Sequence, residues 1–234
     1  MFSFDSRVRF SECGTDGRMT PEAIVNYFQD CAVFHAVSFG SGPDKWRKEQ
    51  RGWVIASWRI RIFEYPKLGT QVTTSTWSYG FRGIEGKRNH TMTDGAGYVF
   101  ADADSRWAFF DFAAGRPIAV PDSEIEGYGV EKRREMGEAP LHIRIPREGA
   151  AVKEPVKVRP TNLDTNGHMN NEQYIALALT LLPAGIRVKE MSVEYHRQAL
   201  LGDELVPHVA RDEEGYTVWF MLGQSKCSAL RFVL

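Results

Sequence analysis

Cysteine is scarce in this chain: Cys13, Cys31 and Cys227 are all it has in 234 residues, with no C-x-x-C pair. An odd, widely spaced set excludes a disulfide framework and a thiolate zinc site, and it reads as reduced thiols. His35 follows Cys31 by one helical turn, but the pair sits in an apolar stretch where a buried Cys acts as a small hydrophobe. Excess charge of one sign is also missing. The formal net charge is −1 at 25% charged residues, and no basic surface is concentrated enough for phosphate binding, so nucleic acid is not expected as a partner. The short basic runs at 45–51 (KWRKEQR) and 132–134 (KRR) read as solvated faces. Nor is there an apolar run of membrane-spanning length, because the longest candidate contains Thr180 and stops at Pro183. MFSFDSRVRF shows no basic segment followed by an apolar one, and a cytoplasmic location is expected.

What is present is a repeat. Setting VRFSECGTDGRMTPE (8–22) over VRPTNLDTNGHMNNE (158–172) at an offset of 150 matches six of fifteen positions. Each copy then runs into an apolar helix and a series of strand-like segments. In the first, Thr20 caps, Pro21 opens and Glu22 favours a helix carrying Ile24, Tyr27, Phe28, Cys31, Phe34 and Val37 at helical spacing. Gly40–Pro43 ends it and a short amphipathic piece follows. Strands are expected at 7–13, at 54–62 with Val54, Ala56, Trp58, Ile60 and Ile62 on one face, at 70–79, 87–93, 98–103 and 106–112. In the second copy they fall at 186–195, 204–210, 215–222 and 225–232, with a hairpin turn at 212–215. Proline, glycine and charge increase and periodicity fades from 113 onward. The expected organisation is a first unit at 1–115, a linker at 116–152 and a second unit at 153–234. A sheet with one apolar helix must bury that helix on its face, which predicts two α+β units.

The second copy carries Asp164, Asn166 and His168 at two-residue spacing ahead of its helix. Two readings fit. If the segment is extended, a carboxylate, an amide and an imidazole share one face and together place a water and move a proton. Alternatively, Asn, Asp and Gly simply form the turn that enters the helix. The first copy has Gly14, Asp16 and Arg18 there, which lack a proton shuttle, so one functional site per chain is expected, in the second copy.

The repeated unit resembles the hotdog fold, an antiparallel sheet around a long helix. The pattern L-D-x-N-x-H-x-N-N-x-x-Y from Leu163 to Tyr174, with SECGTDGRMTPEAIVNYFQD and WRIRIFEYP in the first half, resembles the acyl-ACP thioesterase family, its bacterial members in particular. The resemblance implies a tandem (double) hotdog with one extended sheet and an acyl tunnel. It implies hydrolysis of the thioester joining a fatty acyl chain to acyl carrier protein, with Asp164, Asn166 and His168 as the reactive residues. Close alternatives are an acyl-CoA thioesterase and a non-catalytic acyl-thioester-binding hotdog protein. One departure stands out: where plant members carry the Glu of R-R-E-C, this chain has Gln198, followed by Ala199. A Gln orients a water or donates to an oxyanion but takes no proton at neutral pH. The catalytic set read from the sequence is therefore Asp164, Asn166, His168 and Gln198, with Glu172 a lower-ranked base and the helix start at 170–172 a candidate oxyanion donor. Tyr27, Phe28, Trp53 and Trp58 are the expected acyl contacts, although each also suits a plain core. No cofactor or metal is implied. Acyl carrier protein is the expected partner, without membrane insertion, and the chain is expected as a monomer or homodimer.

Overall fold

The computed structural model describes residues 1–137 and 142–234. The chain divides into two compact units, Met1–Gly137 and Glu138–Leu234. Residues 138–141 of the expected linker lie outside the described residues.

In the first unit five antiparallel strands run in the order β1-β3-β4-β5-β2: β1 is Phe2–Arg7, β2 Arg51–Ile62, β3 Gln71–Arg82, β4 Glu85–Thr93 and β5 Val99–Asp111. The long helix α1, Pro21–Ser38, packs on β1 and β3. Thr20 caps it by accepting the Ala23 N–H at 3.4 Å, and Pro21 opens it, as the sequence predicts. A short α2, Pro43–Glu49, follows.

Three details differ from the sequence reading. The first strand lies at 2–7 and not at 7–13, because residues 10–12 close a 3-10 turn. In β2 a bulge between Ile55 and Ser57 inserts a residue and switches parity, so Trp53 and Ile55 point inward before it and Trp58, Ile60 and Ile62 after it. The two strands expected at 98–103 and 106–112 are one continuous β5. Its polar middle is tolerated because the Tyr79 hydroxyl donates to Asp104 at 2.8 Å and the Trp107 indole to Ser105 at 2.9 Å. Beyond β5 the chain still belongs to the first unit. A two-residue β6, Arg116–Pro117, pairs with β5, and α3, Asp122–Tyr128, buries Glu124 and Tyr128.

In the second unit the order is β9-β12-β11-β10-β7, with β7 Ala151–Val152, β9 Glu190–Tyr195, β10 Glu204–Arg211, β11 Gly215–Leu222 and β12 Ser225–Val233. A further pair, β8 (Val156–Lys157), adds to β10. Helix α4, Asn171–Thr180, packs on β12, and the Asp212 side chain closes the β10–β11 hairpin by accepting the Glu214 and Gly215 amides at 3.0 Å. Each unit is thus an antiparallel sheet with one long apolar helix, the hotdog arrangement, and the two stand in tandem along the chain. Among the described residues, no helix is long and apolar enough to cross a membrane.

Candidate active site

The segment ahead of α4 is a turn. Pro160–Asn162 forms a 3-10 turn in which the Asn162 Oδ1 accepts the Arg159 N–H at 2.8 Å, and the Asn162 carbonyl accepts the Asn170 N–H at 2.8 Å. Between these anchors the chain doubles back. Leu163 bridges Met169, the Asp164 N–H donates to the His168 carbonyl at 2.8 Å, and Gly167 closes the turn at φ 77°. Asp164 Oδ1 accepts both the Asn166 N–H at 2.8 Å and the His168 N–H at 3.1 Å. The extended reading of 164–168 therefore does not hold. Asp164 and His168 face each other at the half-buried neck of a hairpin, with Asn166 exposed at its tip.

A second segment is tied to this neck. Met169 N–H donates to the Ala199 carbonyl at 2.9 Å, and His168 bridges Leu200. That pairing brings the exposed Gln198 beside the hairpin. Among the described residues, the side chains of Asn166, His168 and Gln198 take part in no hydrogen bond. The turn uses Asp164 to fix the backbone and leaves an imidazole and two amides uncommitted.

Helix α4 begins against this hairpin. Asn170 caps it by accepting the Glu172 N–H at 3.4 Å, and its own N–H is held by Asn162. Of the three amides expected to stabilise an oxyanion, these two are occupied, which leaves the Asn171 N–H. Gln173 does not complete a capping box with Asn170. Its amide oxygen accepts from Asn162 at 2.7 Å and its nitrogen donates to Glu172 at 2.9 Å. Glu172 is buried, and the Tyr195 hydroxyl donates to the Asn171 carbonyl at 2.8 Å. Burial pushes the phenols of Tyr174 and Tyr195 up, so both stay protonated at neutral pH. The sequence reading missed a second cluster: Glu194 accepts the Ile143 N–H at 3.0 Å, with His142 at 3.2 Å and His196 at 3.3 Å. Burial holds His196 below its ordinary value, which favours its neutral form.

The first copy repeats the hairpin with different side chains. Gly14 N–H donates to the Arg18 carbonyl at 2.9 Å, Gly17 sits at φ 70°, and Met19 N–H donates to the Pro66 carbonyl at 2.8 Å. Arg18 there stands where His168 stands in the second copy, and its guanidinium donates to the Tyr65 carbonyl at 2.7 Å and reaches Glu64 at 3.5 Å. By this register the counterpart of Gln198 is Tyr65, which is buried. The first hairpin therefore has no imidazole, and its carboxylate, Asp16, accepts the Arg18 N–H at 3.0 Å.

The four expected acyl contacts separate. Phe28 and Trp58 are fully buried core, and Tyr27 is buried with its hydroxyl bonded to Glu12 at 2.9 Å and Ser6 at 3.1 Å. Trp53 lines a narrow pocket in the first unit whose walls include Phe81, Trp107 and Tyr128. The Trp53 indole N–H is fixed by the buried Glu124 at 3.0 Å, which also takes the Ser41 hydroxyl and lies 3.5 Å from Lys45.

Comparison with known proteins agrees with this architecture. The family model of the acyl-ACP thioesterase N-terminal domain matches residues 1–128, and that of the C-terminal domain matches 146–229. A chloroplastic palmitoyl-acyl carrier protein thioesterase of Arabidopsis thaliana is 27% identical over 85% of this chain. The chain spans about half the length of the curated relatives it matches. Among solved structures, an acyl-ACP thioesterase from Bacteroides thetaiotaomicron superposes with a TM-score of 0.87 at 22% identity, over 99% of this chain and 96% of that one. The 12:0-ACP thioesterase from Umbellularia californica gives a TM-score of 0.88 at 20% identity, with the same coverage of both chains. The chain belongs to the acyl-ACP thioesterase family.

Proposed function

We propose that this protein hydrolyses the thioester of a fatty acyl chain carried on acyl carrier protein, releasing the free acid in the cytoplasm. The observation that carries this reading is the second-copy hairpin. It pairs Asp164 with His168 through the backbone, keeps the imidazole uncommitted, carries Asn166 at its tip and is bonded to the segment that follows Gln198. His168, working with Asp164, removes a proton from a water that Asn166 and Gln198 orient. The water oxygen bonds to the acyl carbon, and the oxyanion is met by an amide donor, the Asn171 N–H or a side chain of this set. The C–S bond then breaks, and the proton held by the base passes to the departing thiolate. A thiolate leaves readily, so no strong acid is needed at the sulfur. Gln198 serves as a donor and not as a base, and the proton transfer assigned to Glu in plant members falls here to the hairpin. Trp53 contributes apolar wall to the acyl site.

The test is thiol release from a series of acyl-ACPs and the matching acyl-CoAs. Turnover of acyl-ACP above acyl-CoA supports the reading. Preference for acyl-CoA moves the carrier, and tight binding of every thioester without turnover makes the chain an acyl-thioester sensor, the alternative that Gln198 favours.

A further inference from the structure

The pocket of the first unit holds a buried cation that no carboxylate neutralises. Arg88, on β4, is 5% exposed and lines that pocket. Its guanidinium donates to the Thr76 hydroxyl, at 3.3 Å from Nε and 3.2 Å from Nη2, to the His35 Nδ1 at 2.8 Å from Nη2, and to the neutral Tyr128 hydroxyl. The guanidinium also lies 4.7 Å from the centre of the Tyr128 ring. None of these groups is an anion, and among the described residues no ion pair involves Arg88. The nearby carboxylate of Glu124 already has Lys45 as its cation. A guanidinium out of water with no counter-charge is strongly unfavourable, and burial pushes its pKa down.

A second group points the same way. Ser78 pairs directly with Arg88 across β3 and β4, so the two side chains share one face of the sheet. Ser78 is 1% exposed and lines the same pocket, and among the described residues its hydroxyl has no hydrogen-bond partner. A buried cation and a buried orphan donor stand side by side in a pocket otherwise lined by aromatic and small apolar residues. The same pairing of one charged anchor with apolar walls is the usual make-up of a small-molecule site.

We propose that this pocket binds the carboxylate of an aliphatic acid, with Arg88 as counter-ion, Ser78 as second donor, and the chain against Trp53, Phe81 and Trp107. The carboxylate has two possible sources, a free fatty acid or the far end of an acyl chain that carries an ω-carboxyl. Binding at this pocket stands whether or not the proposed hydrolysis does.

The experiment titrates the full-length chain with octanoate and with methyl octanoate, following tryptophan fluorescence, for the wild type, Ser78→Ala and Arg88→Met, with a thermal melt of each. The expected result is saturable binding of octanoate and binding of the ester weaker by about tenfold or more, the size of one charge-assisted hydrogen bond. Arg88→Met removes that preference. Ser78→Ala melts as the wild type does, because the hydroxyl bonds to nothing among the described residues, yet binds octanoate more weakly. Equal affinity for acid and ester in the wild type, or unchanged octanoate affinity in Ser78→Ala, would overturn the proposal. The source is separated kinetically with octanoyl and ω-carboxyoctanoyl pantetheine thioesters. Faster turnover of the ω-carboxy substrate, lost in Ser78→Ala, assigns the chain end. Inhibition of octanoyl turnover by added octanoate, relieved in Ser78→Ala, assigns the free acid.

Discussion

Asp164 holds His168 in place through the backbone: its Oδ1 accepts the His168 N–H at 3.1 Å while its own N–H donates to the His168 carbonyl at 2.8 Å. A carboxylate at this position therefore has a folding role as well as the proposed chemical one, and the two separate by substitution. Asn keeps an Oδ1 that accepts the same two amides, whereas Ala removes the acceptor. Asp164→Asn is expected to unfold at the wild-type denaturant midpoint and to lose thiol-release activity. Asp164→Ala is expected to lose activity and about 1 kcal/mol of stability as well. Equal activity of Asp164→Asn and wild type would leave Asp164 a turn residue only.

Gly167 tests the same turn without touching a reactive group. Its φ of 77° suits glycine, and nothing lies within 4 Å of an added Cβ, so Gly167→Ala introduces backbone strain and no clash. The expected loss is about 1 kcal/mol in chemical denaturation. Activity should fall further than that loss explains, because the strain moves His168. Unchanged stability would show that the turn relaxes at no cost.

Tyr27 distinguishes core from acyl wall. Its hydroxyl is bonded to Glu12 and Ser6, so Tyr27→Phe should lower stability by about 1 kcal/mol and leave turnover and chain-length preference alone. A shift in chain-length preference with unchanged stability would place Tyr27 at the acyl chain.

Much of this was readable in the sequence. The offset of 150 predicted two copies of one unit, and the structure repeats the backbone bonds of the hairpin at 14–18 in that at 164–168. Beyond α1 and α4 the correspondence changes, since Pro66 answers to Ala199 at an offset of 133, and the differing lengths of helix and connection hide that from a fixed-offset comparison. Periodicity placed the β2 segment but not its inward face, because one bulged residue reverses parity without a mark in the sequence. Asp104 and Ser105 looked like a break because their partners, Tyr79 and Trp107, are apparent only once strands pair. The trio Asp164, Asn166 and His168 was legible as a motif, but the mode of its convergence, a turn closed by Gly167, depends on backbone bonding. Ser78 and Arg88 carried no signal at all, since a serine and an arginine on a strand read as a solvated face.

His35 predicts an acid-sensitive fold. It accepts from Arg88, and burial together with that cation lowers its pKa to about 4; burial lowers His90 in the same direction. In the unfolded chain an imidazole takes up its proton near 6.5. The unfolded state thus binds more protons than the folded one between about 6.5 and 4, and stability falls as pH drops through that window. Denaturation midpoints at pH 7 and pH 5 should differ in the wild type. The difference should shrink in His35→Gln, which keeps an acceptor for Arg88. The same pH dependence in both proteins would remove His35 as a contributor.

The most direct test of a single active site in the second copy is thiol release from acyl-ACP by His168→Ala and Asp16→Ala, each verified as folded. These substitutions strike the two copies of one hairpin. Loss of turnover in His168→Ala with wild-type turnover in Asp16→Ala is the predicted result. Retained turnover in His168→Ala, with activity lost in Asp16→Ala, would contradict it and place the reaction in the first copy.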